Sequence, residues 1–331
     1  MNHFKSYGQR ILSHDFPDFE KFALEIFRFQ AQNNIVYRQY LNLRKIRIAD
    51  IRQMDQIPFL PIGFFKNHDV ISSEIRNFQG FYSSSGTTGS ITSRHYFWDE
   101  AFYLKHSQQL FEKEYGPVDN YHILALLPSY LERPGSSLVR MTDHLIRQSN
   151  SPHSGYYLYN HQELIIKLEE LRNDSRKVLL LGVTFALLDL AESGLKIPKN
   201  KNFFLMETGG MKGRRRELIR EELHDILKPV FHVEEVHSEY GMTELMSQAY
   251  SKGNGKYNLP STMHVLLRDI NDPLSLIFRS QGGINIIDLA NFHSCAFIET
   301  QDLGKIAPDG SLEVLGRFDN SEIRGCNLMV N

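Results

Sequence analysis

A run of seven small residues, Ser83 to Gly89, has the composition of a loop that binds phosphate. Gly86 and Gly89 permit positive φ and a close approach of the backbone to a ligand. Consecutive backbone N–H groups in such a turn form a concave anion site, and the five hydroxyls of the run add donors. Clusters of Ser, Thr and Gly also occur in ordinary loops, and no Gly-Lys-Ser/Thr follows as in a Walker loop. The run alone therefore leaves both interpretations open.

Three later stretches supply carboxylates, an aromatic ring and basic side chains. They are EYGMTEL at 239–245, ETQDLG at 299–304 and GRFDNSEIRG at 316–325. In this order, and together with the Ser/Thr/Gly run, they resemble motifs of the adenylate-forming enzymes, which include acyl-CoA synthetases, luciferases and nonribosomal adenylation domains. IPFLPIGFFKNHDV, METGGMKGR and SEYGMTELMSQAY narrow the resemblance to the LuxE-type acyl-protein synthetases, with phenylacetate–CoA ligases next. The resemblance covers about residues 50–331.

The resemblance implies an α/β protein built like the large N-terminal domain of an adenylate-forming enzyme. We expect mostly parallel sheets with helices, followed by a C-terminal β-rich subdomain. The implied core domain spans residues 1–318, with the β-rich part at about 261–318, and a hinge and short tail span 319–331. Larger members continue into a lid domain that carries a catalytic lysine. We expect that domain to be absent here, as in the similarly short LuxE-type enzymes, because the sequence ends soon after the hinge position Asp319.

The resemblance also implies a nucleotide site, position by position. The residues that would wrap the triphosphate are Ser84, Ser85, Gly86, Thr87, Thr88 and Gly89. The residues of the nucleotide-binding YGMT segment are Tyr240, Gly241, Met242 and Thr243. Within that segment the ring of Tyr240 would cover adenine and Thr243 would touch the α-phosphate. Glu244 would hold Mg²⁺, a hard cation that prefers oxygen ligands.

Two more groups complete the implied nucleotide site. Asp302 would accept hydrogen bonds from both ribose hydroxyls, as an ionised carboxylate can, and Arg317 would reach the same ribose. The backbone of Gly209 and Gly210 would lie against adenine, although a strand-to-helix turn explains these glycines equally well. The cofactors implied are ATP and Mg²⁺. Loop carboxylates facing solvent are the alternative interpretation of Asp302 and Glu244.

The implied activity is that of an AMP-forming, ATP-dependent acid–thiol ligase. LuxE-type enzymes activate a fatty acid as its acyl-adenylate and then hold the acyl group as a thioester on their own cysteine for a partner reductase. Cys326 is the candidate acceptor, because Gly325 permits a mobile turn and Arg324 favours the reactive thiolate. An incidental free thiol is the alternative for Cys326. Cys295 lies in a predicted buried strand, where cysteine behaves as a small hydrophobic residue.

Several alternatives stay open at this point. The acyl group could pass instead to CoA, a carrier thiol or an amine, or the chain could be a catalytically silent adenylate-binding protein. An aryl acid is an alternative to a medium or long fatty acid. Family phosphate loops often continue Gly-x-Pro-Lys, whereas Arg94 is the first basic residue after Gly89, so either the affinity for phosphate is lower or Arg94 replaces that lysine. The run at 214–216 favours a solvated helix face over a phosphate clamp, and His237 favours a structural role.

Composition restricts the class of protein. The chain has 331 residues, of which 41% are hydrophobic and 23% charged, as is ordinary for a globular protein. A net charge of −2 argues against a general binder of nucleic acid or anionic membranes. Two cysteines form no disulfide framework, and no apolar run reaches the length of a membrane span or a signal peptide core. We therefore expect a cytoplasmic protein, and the resemblance implies that it acts on a small-molecule acid.

Periodicity predicts the elements that must position these residues. Apolar spacing predicts helices over 18–41, 99–115 and 214–228, with Asp18 as a cap. Two prolines predict an extended segment at 57–66. Short apolar runs at 121–128, 177–183 and 202–210 predict buried strands, each followed by a loop and a helical pattern. This alternation is typical of a mostly parallel α/β sheet, and closely spaced strands are predicted from about residue 261.

Overall fold

The computed structural model describes residues 2–72, 78–84, 92–127, 135–158, 160–209, 218–278 and 281–318. Within these ranges the chain forms two large β-sheets, a two-stranded hairpin and nine α-helices. None of the helices in these ranges has the length and apolar character needed to cross a membrane. The predicted α/β class with a β-rich C-terminal region is thus observed.

The helices are α1 Asn2–Ser13, α2 Phe19–Asn33, α3 Ile35–Leu43, α4 Phe64–Asn67, α5 Glu100–Tyr115, α6 Ser137–Gln148, α7 His161–Glu170, α8 Thr184–Glu192 and α9 Arg220–Phe231. The strands before residue 240 are β1 Leu60–Pro61, β2 Gly80–Ser83, β3 Arg94–Phe97, β4 Tyr121–Leu126, β5 Gly155–Tyr156, β6 Lys177–Gly182, β7 Phe203–Glu207 and β8 His237–Tyr240. The later strands are β9 Ala249–Ser251, β10 Lys256–Tyr257, β11 Met263–Arg268, β12 Leu276–Ile277, β13 Gln281–Asp288, β14 Phe297–Ile306 and β15 Leu312–Arg317.

One sheet has six strands in the order β5-β4-β6-β7-β8-β9, and every pair is parallel except β8 with β9. Its central strands β4 and β6 are apolar and buried almost throughout, as expected of strands covered on both faces. The three strands predicted from apolar runs are therefore confirmed. The carboxyl ends of β7 and β8 lead directly into the METGG and YGMTE segments, so both motifs begin at one edge of this sheet.

The second sheet is mainly antiparallel and follows the order β10-β15-β14-β13-β11-β12. The short β1 adds to β14 in parallel through Leu60 and Pro61, which confirms the extended conformation predicted for that part of the segment. β14 contains the ETQDLG motif, and Asp302 is paired with Arg317 of β15. A register shift follows immediately between Leu303 and Gly304. Such irregularities re-aim side chains next to functional sites.

The helix predicted over 18–41 is two helices. Asp18 caps α2 as predicted, because its side chain accepts from the Lys21 N–H at 2.9 Å. The break falls at Asn34, which is extended (φ −100°, ψ 109°) and caps α3 by accepting from the Tyr37 N–H. The buried Asn34 amide also donates to the Ser294 carbonyl at 3.0 Å. This distant partner, rather than the apolar spacing, explains why the helix is interrupted.

Two other predicted bounds need correction. The predicted extended segment at 57–66 ends in helix α4, since Pro61 constrains the residue before it and not those that follow. The helix predicted over 214–228 is α9, which begins at Arg220, and residues 214–217 lie outside the described ranges. Glu221 and Glu222 occupy its first turn, where negative charge stabilises a helix N-terminus.

The helix break gives a stability prediction. Asn34→Ala removes a cap and leaves buried partners with fewer hydrogen bonds, so we expect it to lower the free energy of unfolding by about 1–3 kcal/mol. Asp18→Ala removes only an exposed cap and should cost about 1 kcal/mol or less. Urea-induced unfolding of both variants measures the difference. An Asn34→Ala loss no larger than that of Asp18→Ala would contradict this account of the break.

Candidate functional site

The start of the Ser/Thr/Gly run lies beside residues 93 and 94, which follow the run. β2 and β3 form an antiparallel hairpin in which Ser83 is paired with Arg94. Beyond that pair the Ser84 N–H donates to the Ser93 carbonyl at 3.1 Å, and the Ser93 N–H donates to the Ser84 hydroxyl at 2.9 Å. Ser84 is thus held at the mouth of the run. The other predicted phosphate-binding residues, Ser85, Gly86, Thr87, Thr88 and Gly89, lie outside the described residues.

The loop after β8 carries Thr243 and Glu244, and side chains from two other parts of the chain hold its carbonyl groups. His95 of β3 lies with Nδ1 2.8 Å from the Thr243 carbonyl oxygen. The Asn291 amide donates to the Glu244 carbonyl at 2.7 Å, and its Oδ1 lies 2.8 Å from Nε2 of His95. Both His95 and Asn291 are fully buried. The YGMTE loop is therefore fixed to the strand that leaves the Ser/Thr/Gly run.

Burial decides the charge of His95. Hydrogen bonds to two oxygens favour the protonated ring, but removal from water outweighs them and lowers the pKa of His95 to about 4. A neutral imidazole donates from one nitrogen only, and the Thr243 carbonyl can only accept. Asn291 Oδ1 can only accept as well, so a neutral His95 donates to one of these two oxygens at a time.

Asp288 holds the residues that follow the motif. Its carboxylate accepts from the backbone N–H groups of Met246 and Ser247 at 2.7 and 3.0 Å, and from the Ser247 hydroxyl at 2.7 Å. Asp288 is fully buried, and that burial raises its pKa while these hydrogen bonds act in the opposite direction. The loop from Gly241 to Ser247 is thus fastened at both ends.

The segment that carries Asn291 is itself held by α2. The Gln30 amide donates to the carbonyl groups of Asn291, Phe292 and Ser294 at 3.0–3.2 Å, and its oxygen accepts from the Ala296 N–H at 3.0 Å. A buried glutamine with every group paired is rigid, because each broken bond would leave an unpaired polar atom. Gln30 therefore positions Asn291 indirectly.

Glu244 is only 6% exposed, although it belongs to a predicted metal site. Burial raises its pKa, while a hydrogen bond with Ser93 and the positive charges of Arg317 and Lys66 act in the opposite direction. Ser93 also bonds with Ser84, so the entry of the Ser/Thr/Gly run and the Glu244 side chain are linked through one residue. Among the described residues, no group of three or more His, Cys, Asp and Glu side chains could hold a metal ion.

Tyr240 and Asp302 join the two large sheets. The Tyr240 hydroxyl donates to Asp302 Oδ2 at 2.8 Å, although 62 residues separate them in sequence. Arg317 Nε lies 3.4 Å from the other carboxylate oxygen, and its side chain is 63% exposed. Burial raises the pKa of Asp302, and the Tyr240 hydroxyl, Arg317 and Arg268 oppose that shift. Three predicted site residues thus form one contact group whose outer edge reaches solvent.

Two glycines of the predicted site have backbone or packing requirements. Gly209 has φ +70° and its N–H lies beside a carboxylate oxygen of Glu207. A Cβ on Gly241 would come within 2.4 Å of Glu239 Oε1, so any side chain there would displace a buried carboxyl group. Met242 packs partly buried against the core, and its carbonyl accepts from the Leu245 N–H at 3.0 Å. Gly210 and Cys326 lie outside the described residues.

Sequence reasoning missed the residues that hold the loop in place: His95, Asn291, Asp288, Gln30 and Ser93. A signal existed for two of them, because Asp288 and Asn291, like Asn285, interrupt the mostly apolar run INIIDLANF. Polar residues inside a buried run usually have a specific hydrogen-bond partner. The basic residue Arg94, considered above as a replacement for a phosphate-loop lysine, forms an ion pair with Asp69 at 3.2 Å.

Comparisons with known proteins bear on the fold. No protein-family model matches the sequence, and no curated protein matches it either. Solved structures do match. ATP-bound MatB from Rhodopseudomonas palustris is 16% identical over 75% of this chain and 49% of that one, with a TM-score of 0.53. An open conformation of 2-hydroxyisobutyryl-CoA ligase with 2-HIB-AMP and CoA is 12% identical over 94% of this chain and 70% of that one, with a TM-score of 0.67.

The same ligase in its thioesterification state covers 96% of this chain and 69% of that one at 12% identity, again with a TM-score of 0.67. The chain has the fold of the adenylate-forming enzymes. It spans about half the length of MatB. At these identities the likeness establishes the architecture, namely the α/β large domain with its C-terminal β-rich region.

The anchored loop gives a second prediction. Asn291→Ala removes the donor to the Glu244 carbonyl and one partner of His95, so we expect a loss of about 1–3 kcal/mol in unfolding free energy. Amide hydrogen exchange should also become faster at Gly241 to Leu245. Asn258→Ala is the matched control, because that residue is exposed and its side-chain amide donates to Glu114 rather than to the loop. Unchanged exchange in the loop of the Asn291 variant would show that other contacts hold it.

Proposed function

We propose that this protein activates a carboxylic acid by reaction with ATP, which forms an acyl-adenylate and releases pyrophosphate. The observation that carries the proposal is the contact between Tyr240 and Asp302, with Arg317 beside the same carboxylate. These residues come from three motifs whose order along the chain resembles that of adenylate-forming enzymes. Their contact at one point between the two sheets supports the binding of one ligand by all three residues.

The Asp302 carboxylate keeps enough hydrogen-bonding capacity to bind the ribose of a nucleotide. Each carboxylate oxygen of Asp302 has two lone pairs, and Tyr240 and Arg317 leave part of that capacity for ribose hydroxyls. Ser84 of the Ser/Thr/Gly run lies next to Ser93 and therefore close to Glu244. Triphosphate oxygens bound by the run would thus lie on the same side as the Glu244 carboxylate.

Glu244 fits the expected role in holding Mg²⁺. Mg²⁺ keeps several waters and is commonly bound by one or two carboxylates together with substrate phosphates. A single buried carboxylate, hydrogen-bonded by Ser93, matches that donor set, and a bound cation would offset the burial that raises its pKa. When bound, Mg²⁺ would neutralise phosphate charge. Thr243 would then orient the α-phosphate for attack by the substrate carboxylate.

The structural neighbours favour the same reaction class. The crystal structures of 2-hydroxyisobutyryl-CoA ligase contain the adenylate 2-HIB-AMP together with CoA. The crystal structure of MatB contains ATP. Because the ligase structures contain CoA, transfer of the acyl group to CoA is the second candidate for the step that follows adenylation.

For that final step we propose a LuxE-type acyl-protein synthetase that activates a fatty acid. The Cys326 thiolate would attack the acyl carbonyl carbon, AMP would leave, and the thiol proton would pass to solvent. A partner reductase would then consume the thioester. Cys295 is unsuited to this role, because it is fully buried and burial raises the pKa of its thiol to about 12. The thiolate, which is the nucleophile, is therefore scarce at Cys295.

Acid-dependent exchange of labelled pyrophosphate into ATP tests the activation step. We expect exchange with Mg²⁺ and a suitable acid, and Asp302→Ala should raise the KM for ATP about 5- to 150-fold, since an unmatched buried hydroxyl pair costs about 1–3 kcal/mol. Exchange with no acid of a broad panel would exclude the proposal.

Calorimetry with 2′,3′-dideoxy-ATP isolates the role of Asp302. The variant should bind this analogue as the wild type does, because the analogue lacks both ribose hydroxyls. Asp309→Ala is the matched control, since that exposed carboxylate lies in a turn of the same sheet. If Asp302→Ala weakens ATP and the dideoxy analogue equally, the carboxylate has another role.

Radiolabelled fatty acid with ATP tests the acceptor. After denaturing electrophoresis, the wild type should carry label that neutral hydroxylamine removes, and Cys326→Ser should form acyl-AMP without holding that label. Cys295→Ser should retain it. Label that persists on the Cys326 variant would refute the acyl-protein step. Label found only on added CoA would assign the chain to the CoA ligases.

A further inference from the structure

A buried carboxyl group directly precedes the predicted adenine-binding tyrosine. Successive side chains of a strand point to opposite faces, so Glu239 and Tyr240 of β8 face different sides of the sheet. Tyr240 turns towards Asp302 and the second sheet. Glu239 is on the face that α5 covers, because its neighbour across the β8–β9 ladder, Tyr250, packs against Phe111 and Tyr115 of α5. Its Oε1 lies against the backbone of Gly241, at the start of the loop that carries Thr243 and Glu244.

Two further polar groups share that face. Glu239 is directly opposite Tyr250 in the β8–β9 ladder, so their side chains are neighbours. Gln248 precedes Tyr250 by two residues and therefore points to the same side, and its Cγ lies 3.4 Å from the Cβ position of Gly241. The three polar side chains thus surround one short stretch of backbone.

Each of the three side chains has a polar group with no hydrogen-bond partner among the described residues. Glu239, Gln248 and Tyr250 are 7%, 4% and 3% exposed. Among the described residues, the Gln248 amide oxygen and the Tyr250 hydroxyl form no hydrogen bond. Among those residues, no hydrogen-bond donor and no cation pairs with the Glu239 carboxyl group. Burial and the nearby charge of Glu207 raise the pKa of Glu239 to about 8. Native proteins leave few buried polar groups unpaired, so three on one face call for an explanation.

The chemistry of the three groups indicates what they would bind. A carboxyl group and an amide oxygen are acceptors, and a phenol can accept as well. Their matching ligand donates hydrogen bonds, as an ammonium or a hydroxyl does. An unsubstituted alkyl chain would leave all three groups unpaired. The position of Glu239 against Gly241, two residues before Thr243, is next to the proposed site of acid activation.

We infer that Glu239, Gln248 and Tyr250 recognise a hydrogen-bond-donating group, either an ammonium or a hydroxyl, on the acid substrate. This inference rests on the proposed function and narrows its substrate class to amino- or hydroxy-substituted acids. Glu239 and Gln248 accept from the substituent, and Tyr250 accepts from it or donates to its oxygen. Ammonium and hydroxyl share the donor chemistry, and the experiment separates them.

Pyrophosphate exchange with matched six-carbon acids is the test. Hexanoate is compared with its derivatives that carry a hydroxyl or an amine at carbon 2, 3 or 6. A site built to bind a donor rejects the analogue that lacks it, so we expect the preferred derivative to exceed hexanoate in kcat/KM by at least about 100-fold. The hydroxy and amino series show which donor is recognised. Glu239→Leu should abolish the preference and improve the use of hexanoate.

Stability of the ligand-free protein supplies an independent measurement. Tyr250→Phe removes a hydroxyl without a partner and should leave the thermal midpoint unchanged or higher. Tyr37→Phe is the matched control, because the hydroxyl of this equally buried tyrosine donates to the Pro58 carbonyl, and its loss should lower the midpoint. A midpoint lowered as much by Tyr250→Phe as by Tyr37→Phe would mean that the hydroxyl is already paired, which overturns the inference.

The outcomes separate the two proposals. Equal use of hexanoate and every derivative, or an acid preference that Glu239→Leu does not change, overturns the inference and leaves acid activation intact. Exchange with none of these acids and none of a broader fatty and aryl panel overturns acid activation itself. A donor preference that is lost in Glu239→Leu, together with the expected pair of midpoints, supports the inference.

Discussion

Two backbone carbonyl groups, those of Thr243 and Glu244, must be held in place for the candidate site to have a defined shape. His95 and Asn291 hold them, and both side chains are fully buried. An unpaired buried carbonyl costs about 1–3 kcal/mol, so these bonds fix the loop more firmly than exposed ones would. The rest of the arrangement follows from this constraint, because the strand carrying His95 also follows the Ser/Thr/Gly run and pairs with its first residue.

A second consequence concerns how the two sheets cooperate. The parallel sheet supplies the loops that follow its strand ends, where ligands of α/β proteins commonly bind. The antiparallel sheet supplies Asp302 and Arg317 from adjacent strands. The hydrogen bond from Tyr240 to Asp302 sets the relation between them. The opposite face of the same strand carries Glu239, so a single β-strand separates the proposed nucleotide side of the site from the inferred substrate side.

Local pattern predicted the buried parallel strands and the later antiparallel ones, because short apolar runs between turn residues leave few alternatives. Motif order also predicted that Tyr240 and Asp302 would share a site. The interruption at Asn34 and the anchoring roles of Gln30 and His95 could not be predicted in this way. Each depends on a partner more than 100 residues away, such as the carbonyl of Asn291 for Gln30 or that of Thr243 for His95. Such pairings leave no periodic trace in the sequence.

The bond between Gln30 and the segment at 291–296 has a consequence for biosynthesis. A separation of 261 residues lies between Gln30 and Asn291. At ~5–20 residues per second, a ribosome needs about 13–52 s to add that length of chain. During that interval the amide of Gln30 has none of its final partners. The packing of α2 against the segment at 291–296 can therefore be completed only after most of the chain has been synthesised.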